Sequence, residues 1–247
     1  MSVARWIESS DVPVPEPGEI HVWRIPLIGR PDAVVRLKGC LSPEELARCD
    51  GFHFATDQRR FIIRRAVLRQ LLATHLATTP TDVQIKTGSQ GKPFVPDQTD
   101  ATGLRFNCSH SGDWALIALA RGIELGVDLE QHRPLPDAED VARNYFSPAE
   151  IRELAALPPA LKTAGFYNGW ACKEAFIKAI GLGLSFPLSG FTVSLSPDQP
   201  AALLSVADDA EALKKWTLIS LADIPDNSAA LVFAGTSATV KFFAWNR

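Results

Sequence analysis

Asp128 and Glu130 stand two residues apart in Gly126-Val127-Asp128-Leu129-Glu130, so a β-strand here turns both carboxylates to one side and Val127 and Leu129 to the other. Like charges rooted about 6.5 Å apart need a counter-charge, or one of them takes up a proton. Side chains of unequal length can converge on one hard cation with oxygen ligands. Magnesium characteristically takes one or two carboxylates, waters and a substrate phosphate. The plain alternative is an edge strand with a solvated polar face.

A third acid and a base sit in the string Trp170 to Leu184, whose helical spacing ends at Gly181 and Gly183. Trp170, Glu174, Ile177 and Lys178 share one broad helical face. Glu174 is either a further magnesium ligand or a general base, with Lys178 a phosphate contact beyond it; the two residues also suit an exposed ion pair worth about 0.2–0.5 kcal/mol. The glycines let the chain turn sharply and pass close to a ligand.

Phosphate chemistry has further candidates. Asn107-Cys108-Ser109-His110-Ser111-Gly112-Asp113 reads as a tight connection offering hydroxyl, amide and backbone donors, or equally as a polar turn with a surface histidine. Gly91-Lys92-Pro93 lies in the loop before it. Arg59, Arg60, Arg64, Arg65 and Arg69 crowd a helix beginning near Asp57, and Arg60 and Arg64 set like charges four apart. Most of these arginines read as solvated side chains whose stems cover core, with one or two left for a ligand.

The elements that must position these residues recur along the chain. Leu41-Ser42-Pro43-Glu44-Glu45-Leu46 returns 105 residues later as Phe146-Ser147-Pro148-Ala149-Glu150-Ile151, each a capping box with proline at the first helical position. Trp114 to Ala120 resembles Trp216 to Ala222, 102 residues on. Helices are expected over 57–77 and from about Phe166 to Ile180. The order predicts an α+β chain of two similar α/β halves related by pseudo-twofold symmetry, residues 1–121 and 122–247, with a ligand cleft between them.

Composition narrows the class. The 247 residues are 46% hydrophobic and 21% charged with a net charge of -3, which fits a globular chain and not a dedicated nucleic-acid binder. Cys40, Cys49, Cys108 and Cys172 show no zinc-like spacing and read as reduced thiols of a cytoplasmic protein. The first 19 residues carry acids and prolines, and the longest apolar run, Trp114 to Ala120, is far short of the roughly 20 residues of a spanning helix. No membrane partner is expected.

In this order Gly91-Lys92-Pro93, Asn107-Cys108-Ser109-His110-Ser111, Gly126-Val127-Asp128-Leu129-Glu130 and Trp170-x-x-Lys173-Glu174-Ala175-x-x-Lys178-Ala179-x-Gly181-x-Gly183-Leu184 resemble the surfactin-type 4′-phosphopantetheinyl transferases. The match covers about residues 40 to 195. It implies a monomer that moves the phosphopantetheine arm of coenzyme A to a serine of an acyl, peptidyl or aryl carrier protein, in fatty-acid or secondary-metabolite synthesis.

The resemblance further implies that Asp128, Glu130 and Glu174 hold Mg2+ on the pyrophosphate, that Ser109, His110, Lys92 and Lys178 grip phosphates, and that Glu174 helps deprotonate the carrier serine. The segment Val141 to Leu154, with Tyr145 and Phe146, is implied to receive the carrier. Some relatives carry lysines for the 3′-phosphate in the region where residues 41–54 here offer Arg48 and no lysine, and Arg60 is the expected substitute. Two rivals share these residues: a silent carrier-binding module and a magnesium-dependent phosphodiesterase.

Overall fold

A computed structural model describes residues 5–9, 11–96 and 103–246, the Leu184 side chain excepted. In chain order the elements are β1 (Ile7–Ser9), β2 (Glu19–Pro26), α1 (Pro31–Lys38), α2 (Pro43–Asp50), α3 (Ala55–Leu76), β3 (Lys86–Thr87), β4 (Pro93–Phe94), β5 (Leu104–Ser111), β6 (Trp114–Arg121) and β7 (Leu125–Gln131). There follow α4 (Ala138–Tyr145), α5 (Pro148–Ala156), α6 (Pro159–Ile180), β8 (Phe191–Val193), β9 (Leu203–Val206), α7 (Ala212–Lys215), β10 (Trp216–Ser220), β11 (Asn227–Ala234) and β12 (Thr239–Trp245). The fold is mixed α+β.

Strands assemble into a five-stranded sheet, order β1-β12-β2-β6-β5, and a three-stranded sheet, order β10-β11-β7, besides two short hairpins. Alternation decides the layers. Trp23 and Ile25 of β2 with Ala115, Ile117 and Leu119 of β6 face α3, where Ile63, Val67 and Leu71 cover them. The opposite residues, Ile20, Val22, Leu116, Ala118 and Ala120, pack on Leu125, Val127 and Leu129 of β7 and on Leu231 and Phe233 of β11. Beyond the second sheet, Ala230 and Val232 meet Ala171, Ala175 and Phe176 of α6. Helix, sheet, sheet and helix therefore stack in that order, and β5 and β7 meet where the sheets abut.

Both expected capping boxes form. Ser42 Oγ accepts from Glu45 N–H at 3.3 Å and Glu45 Oε2 from Ser42 N–H at 3.1 Å. The same pair of bonds at Ser147 and Glu150 measures 3.3 and 2.7 Å. Each cap satisfies orphan N–H groups and is worth about 1 kcal/mol.

Two expectations are corrected, the equivalence of the two Trp-led strands and the start of the last long helix. The strand beginning at Trp114 lies between β2 and β5, whereas that beginning at Trp216 is a sheet edge, so the two are not equivalent. β12 crosses residue 122 to pair in parallel with β2, seating Phe243 against Trp23 at 4.8 Å between ring centroids. Helix α6 begins at Pro159, earlier than Phe166, because Gly165 and Gly169 do not break it. A Cβ at either would stand 2.3 Å from Leu157 or 2.2 Å from Leu195, so these glycines are close-packing positions. Among the described helices none is long and apolar enough to cross a membrane.

Candidate active site

The polar string from Asn107 to Ser111 is not a connection but the second half of β5, and only Gly112 and Asp113 turn the chain into β6. Its alternation carries the reason. Phe106 and Cys108 join the α3 core, which sends Asn107, Ser109 and Ser111 to the other face, against β7. β7 is an edge strand, and an edge leaves N–H groups without ladder partners. Asn107 Oδ1 accepts from Val127 N–H at 2.9 Å, and Ser111 Oγ accepts from Gln131 N–H at 3.0 Å. Side chains here replace a missing strand.

The same row reaches the acids. Ser109 Oγ donates to Asp128 Oδ1 at 2.7 Å, and Ser111 Oγ to Glu130 Oε2 at 3.2 Å. Glu174 and Lys178 arrive from α6, which can lie on this face of β7 because Gly126 has no side chain. A Cβ there would stand 2.2 Å from Ala175 O and 2.3 Å from Ala179 N. The Gly-x-Asp-x-Glu spacing thus supplies the contact that brings the helix in and, one and two pleats on, the carboxylates it meets.

Lys178 does not pair with Glu174 one turn before it. Its Nζ lies 2.5 Å from Asp128 Oδ1 and donates to Ser109 Oγ at 3.2 Å. Asp128 is only 2% exposed, and its Oδ2 is buried without a hydrogen-bond partner. Burial pushes Glu130 up to about 7, and the Asp128 charge pushes the same way. Glu174 is raised for the same two causes. Among the described residues no three His, Cys, Asp or Glu side chains form a ready metal cluster.

In front of Lys178 lies a cavity of about 320 Å³ whose polar lining is Arg64, Arg65, Ser109, His110 and Lys178. A second, of about 270 Å³, shares Pro93, Cys108 and Lys178 with it and continues past Lys92 and Glu174 to Gly181 and Gly183. His110 is an exposed residue, yet its ring is pushed down to about 4, first by partial loss of solvent and then by the Arg64, Lys178 and Arg60 charges. Arg64, resting on the Phe61 ring at 5.1 Å, is lowered to about 10 by burial and by Arg65. Among the described residues no carboxylate lies within ion-pair distance of Arg64.

Arg60 is placed otherwise than expected. Its Nη2 donates to Asp113 Oδ1 at 2.8 Å, and it lines neither cavity. Arg65 and Arg69 both bind Glu45 of the first capping box, although Arg65 also reaches the cleft. Arg64, left among the covering arginines in the sequence reading, is therefore a further candidate for this wall, and the signal was present: of two like charges four apart, only Arg60 has an acid, Asp57, within reach on the helix. Lys92 lines the second cavity while its ammonium donates to Leu125 O at 3.1 Å and Ala179 O at 3.3 Å, tying the β3–β4 turn to β7 and to the end of α6. Gly181 and Gly183, both with positive φ, carry the chain past that turn.

Lys173, beside Glu174 in the helical string, points the opposite way. It is wholly buried, with Nζ 2.8 Å from Glu150 Oε1, 2.9 Å from Leu188 O and 2.7 Å from Phe191 O. Its three donors are satisfied, and it fixes the rotation of α6. Phe146 is core, 2% exposed and stacked on Phe166, because it enters α5 as the residue before the cap. Tyr145 is 46% exposed and meets the edge of Trp170.

Two family models match the chain. That of the 4′-phosphopantetheinyl transferase superfamily covers residues 124–236, and that of the 4′-phosphopantetheinyl transferase N-terminal region covers residues 30–121. The 4′-phosphopantetheinyl transferase HetI of Nostoc sp. is 37% identical over 227 residues, 91% of this chain and 92% of that one. The 4′-phosphopantetheinyl transferase Sfp of Bacillus subtilis is 34% identical over 163 residues, 66% of this chain and 70% of that one. With the acids, the basic cleft and the α6 string inside the matched regions, the chain belongs to the 4′-phosphopantetheinyl transferase family and is an enzyme of that kind.

Proposed function

We propose that the chain transfers phosphopantetheine from coenzyme A to a carrier-protein serine with Mg2+ held by Asp128, Glu130 and Glu174. The observation that carries the metal is the partnerless Oδ2 of a buried Asp128 beside two carboxylates held above their ordinary range. A divalent cation with oxygen ligands answers all three. When bound, it would supply charge stabilisation at the pyrophosphate.

The chain's own groups do the rest. Ser109, His110, Lys178 and Arg64 form the anion-binding wall of the cleft, and Arg64 is a better partner for the 3′-phosphate than Arg60 because its charge is unanswered. Lys92 braces the floor from which Lys178 works and supplies a secondary positive charge. Glu174, which lines the second cavity beside Lys178, is the group placed to accept the serine proton. Fixed positive charge facing the leaving 3′,5′-adenosine bisphosphate lowers the barrier without reorganisation. Tyr145, Val141 and Trp170 offer an apolar contact for the carrier.

The paired arrangement of α2, α3 and β2-β6-β5 with α5, α6 and β7-β11-β10 supports two halves related by a pseudo-twofold axis, with the divide near residue 122 and β12 returning to the sheet of the first half. We read the protein as a cytoplasmic monomer. Intact-mass measurement of a carrier incubated with enzyme, coenzyme A and Mg2+ tests the reaction. The expected result is a carrier heavier by one phosphopantetheine arm, with the bisphosphate released. Coenzyme A cleaved without carrier modification would favour the phosphodiesterase reading, and neither change would favour a silent binder.

A further inference from the structure

Building on that magnesium-dependent reading, we propose that Lys178 is a resident cation of the carboxylate site: it holds Asp128 in the free protein and releases it to the metal when a substrate phosphate draws the ammonium away.

The contacts of Lys178 are those of a bound cation. Three oxygens surround Nζ, Asp128 Oδ1 at 2.5 Å, Ser109 Oγ at 3.2 Å and Val127 O at 3.4 Å, and all come from β5 and β7 rather than from its own helix. Asp128 meanwhile lines neither cavity of the cleft, whereas Lys178 lines both. The ammonium therefore stands between the cleft and the most buried of the three acids. Its side chain keeps 27% of its exposure, and its four-carbon stem can turn toward the Arg64 and His110 wall without moving α6.

Charge then dictates an exchange. A divalent cation taken up at the open Oδ2 of Asp128 would lie within a few ångströms of the ammonium on Oδ1, and at that separation their repulsion weakens the hold of the carboxylate on Lys178. The unpartnered Oδ2 of Asp128 shows that one cation leaves this carboxylate half satisfied. In the free protein Asp128 pairs with Lys178. In the loaded protein Asp128 pairs with metal and Lys178 with phosphate, and no covalent bond changes. Linkage follows: whatever removes Lys178 from Asp128 raises metal affinity, and metal raises the affinity of that ligand by the same factor.

The test is metal binding to the full chain, with Mn2+ as probe and free ion counted by electron paramagnetic resonance. The pyrophosphate of coenzyme A is itself a metal ligand, so the decisive comparison is made without it. Lys178→Gln keeps a polar side chain but removes the charge, and it should bind Mn2+ at least ~10-fold more tightly than wild type. The strengthening by coenzyme A should be at least ~10-fold smaller in Lys178→Gln than in wild type. Equal or weaker Mn2+ binding by Lys178→Gln overturns the resident-cation role. If wild type binds no coenzyme A, the transferase reading fails, while a gain of Mn2+ affinity in the variant still upholds the exchange at Asp128. Should Lys178→Gln melt too low to titrate, Lys178→Arg retains a cation and should show no gain; a gain there overturns the proposal.

Discussion

Ser109 Oγ donates to Asp128 Oδ1 at 2.7 Å across two sheets that share no strand pairing. Together with Asn107 and Ser111 it makes one face of β5 the hydrogen-bonding partner of an otherwise open edge of β7, which is how the two halves of the cleft are held in register.

Asn107→Ala leaves the Val127 N–H buried and unpaired, and the loss should be about 1–3 kcal/mol. Thermal unfolding would then fall by roughly 2–12 °C for a chain of this size. An unchanged melting temperature would mean that water or a shifted strand replaces the side chain.

His110 gives a signed pH prediction. Its folded pKa is depressed from 6.5 to about 4, so the unfolded chain binds more protons between those values. Stability associated with His110 is complete above pH 6.5 and is lost as pH falls through about 4. Denaturant melts should show this slope in wild type and a shallower one in His110→Gln. Imidazole shifts in NMR should place the free-protein titration near 4 and move it upward on binding coenzyme A, since a phosphate favours the charged ring. A titration near 6.5 in the free protein would refute the crowding by Arg64, Lys178 and Arg60.

Lys173 should behave as a structural residue. Lys173→Met strands the Glu150 carboxylate in the core and should cost about 3–5 kcal/mol in urea denaturation. Adding Glu150→Gln should restore part of that, because the amide needs no counter-charge, although its single oxygen can accept from only one of the Ser147 and Val193 N–H groups that the carboxylate serves with separate oxygens. Independent, additive losses would show that the two are not coupled.

The arginines separate by what already answers them. Arg64→Ala should weaken coenzyme A binding by about 10-fold or more, the worth of one charge-assisted contact, while Arg60→Ala should change it much less. Calorimetry on both variants, with dephospho-coenzyme A alongside, decides it. Equal losses, or a loss confined to Arg60→Ala, would return the 3′-phosphate to Arg60.

Tyr145 and Phe146 should part in the same way. Tyr145→Ala should raise the Michaelis constant for carrier protein with melting temperature nearly unchanged. Phe146→Ala should lose about 3–5 kcal/mol of stability as a core truncation. Wild-type kinetics of Tyr145→Ala across several carriers would remove it from the docking surface.

What could be read without coordinates was local or periodic. Two capping boxes, an alternating strand carrying Asp128 and Glu130, and a helical face carrying Glu174 and Lys178 follow from preferences that act within a few residues. The run Asn107 to Ser111 misled because four polar residues in five read as a turn; Phe106 and Cys108, alternating with them, were the trace of a strand whose polar face is turned to β7. What tertiary structure alone decided were choices between neighbours of equal chemistry. Arg60 and Arg64 differ by one helical turn; Asp57 on the same helix is within reach of the first, and the return of the chain at Asp113 adds a second acid that no local pattern announces. Lys178 could have paired with Glu174 within its helix. Close packing of α6 on Gly126 brings Asp128 to it instead, and a buried carboxylate holds an ammonium more strongly than a partly solvated one on the same helix face.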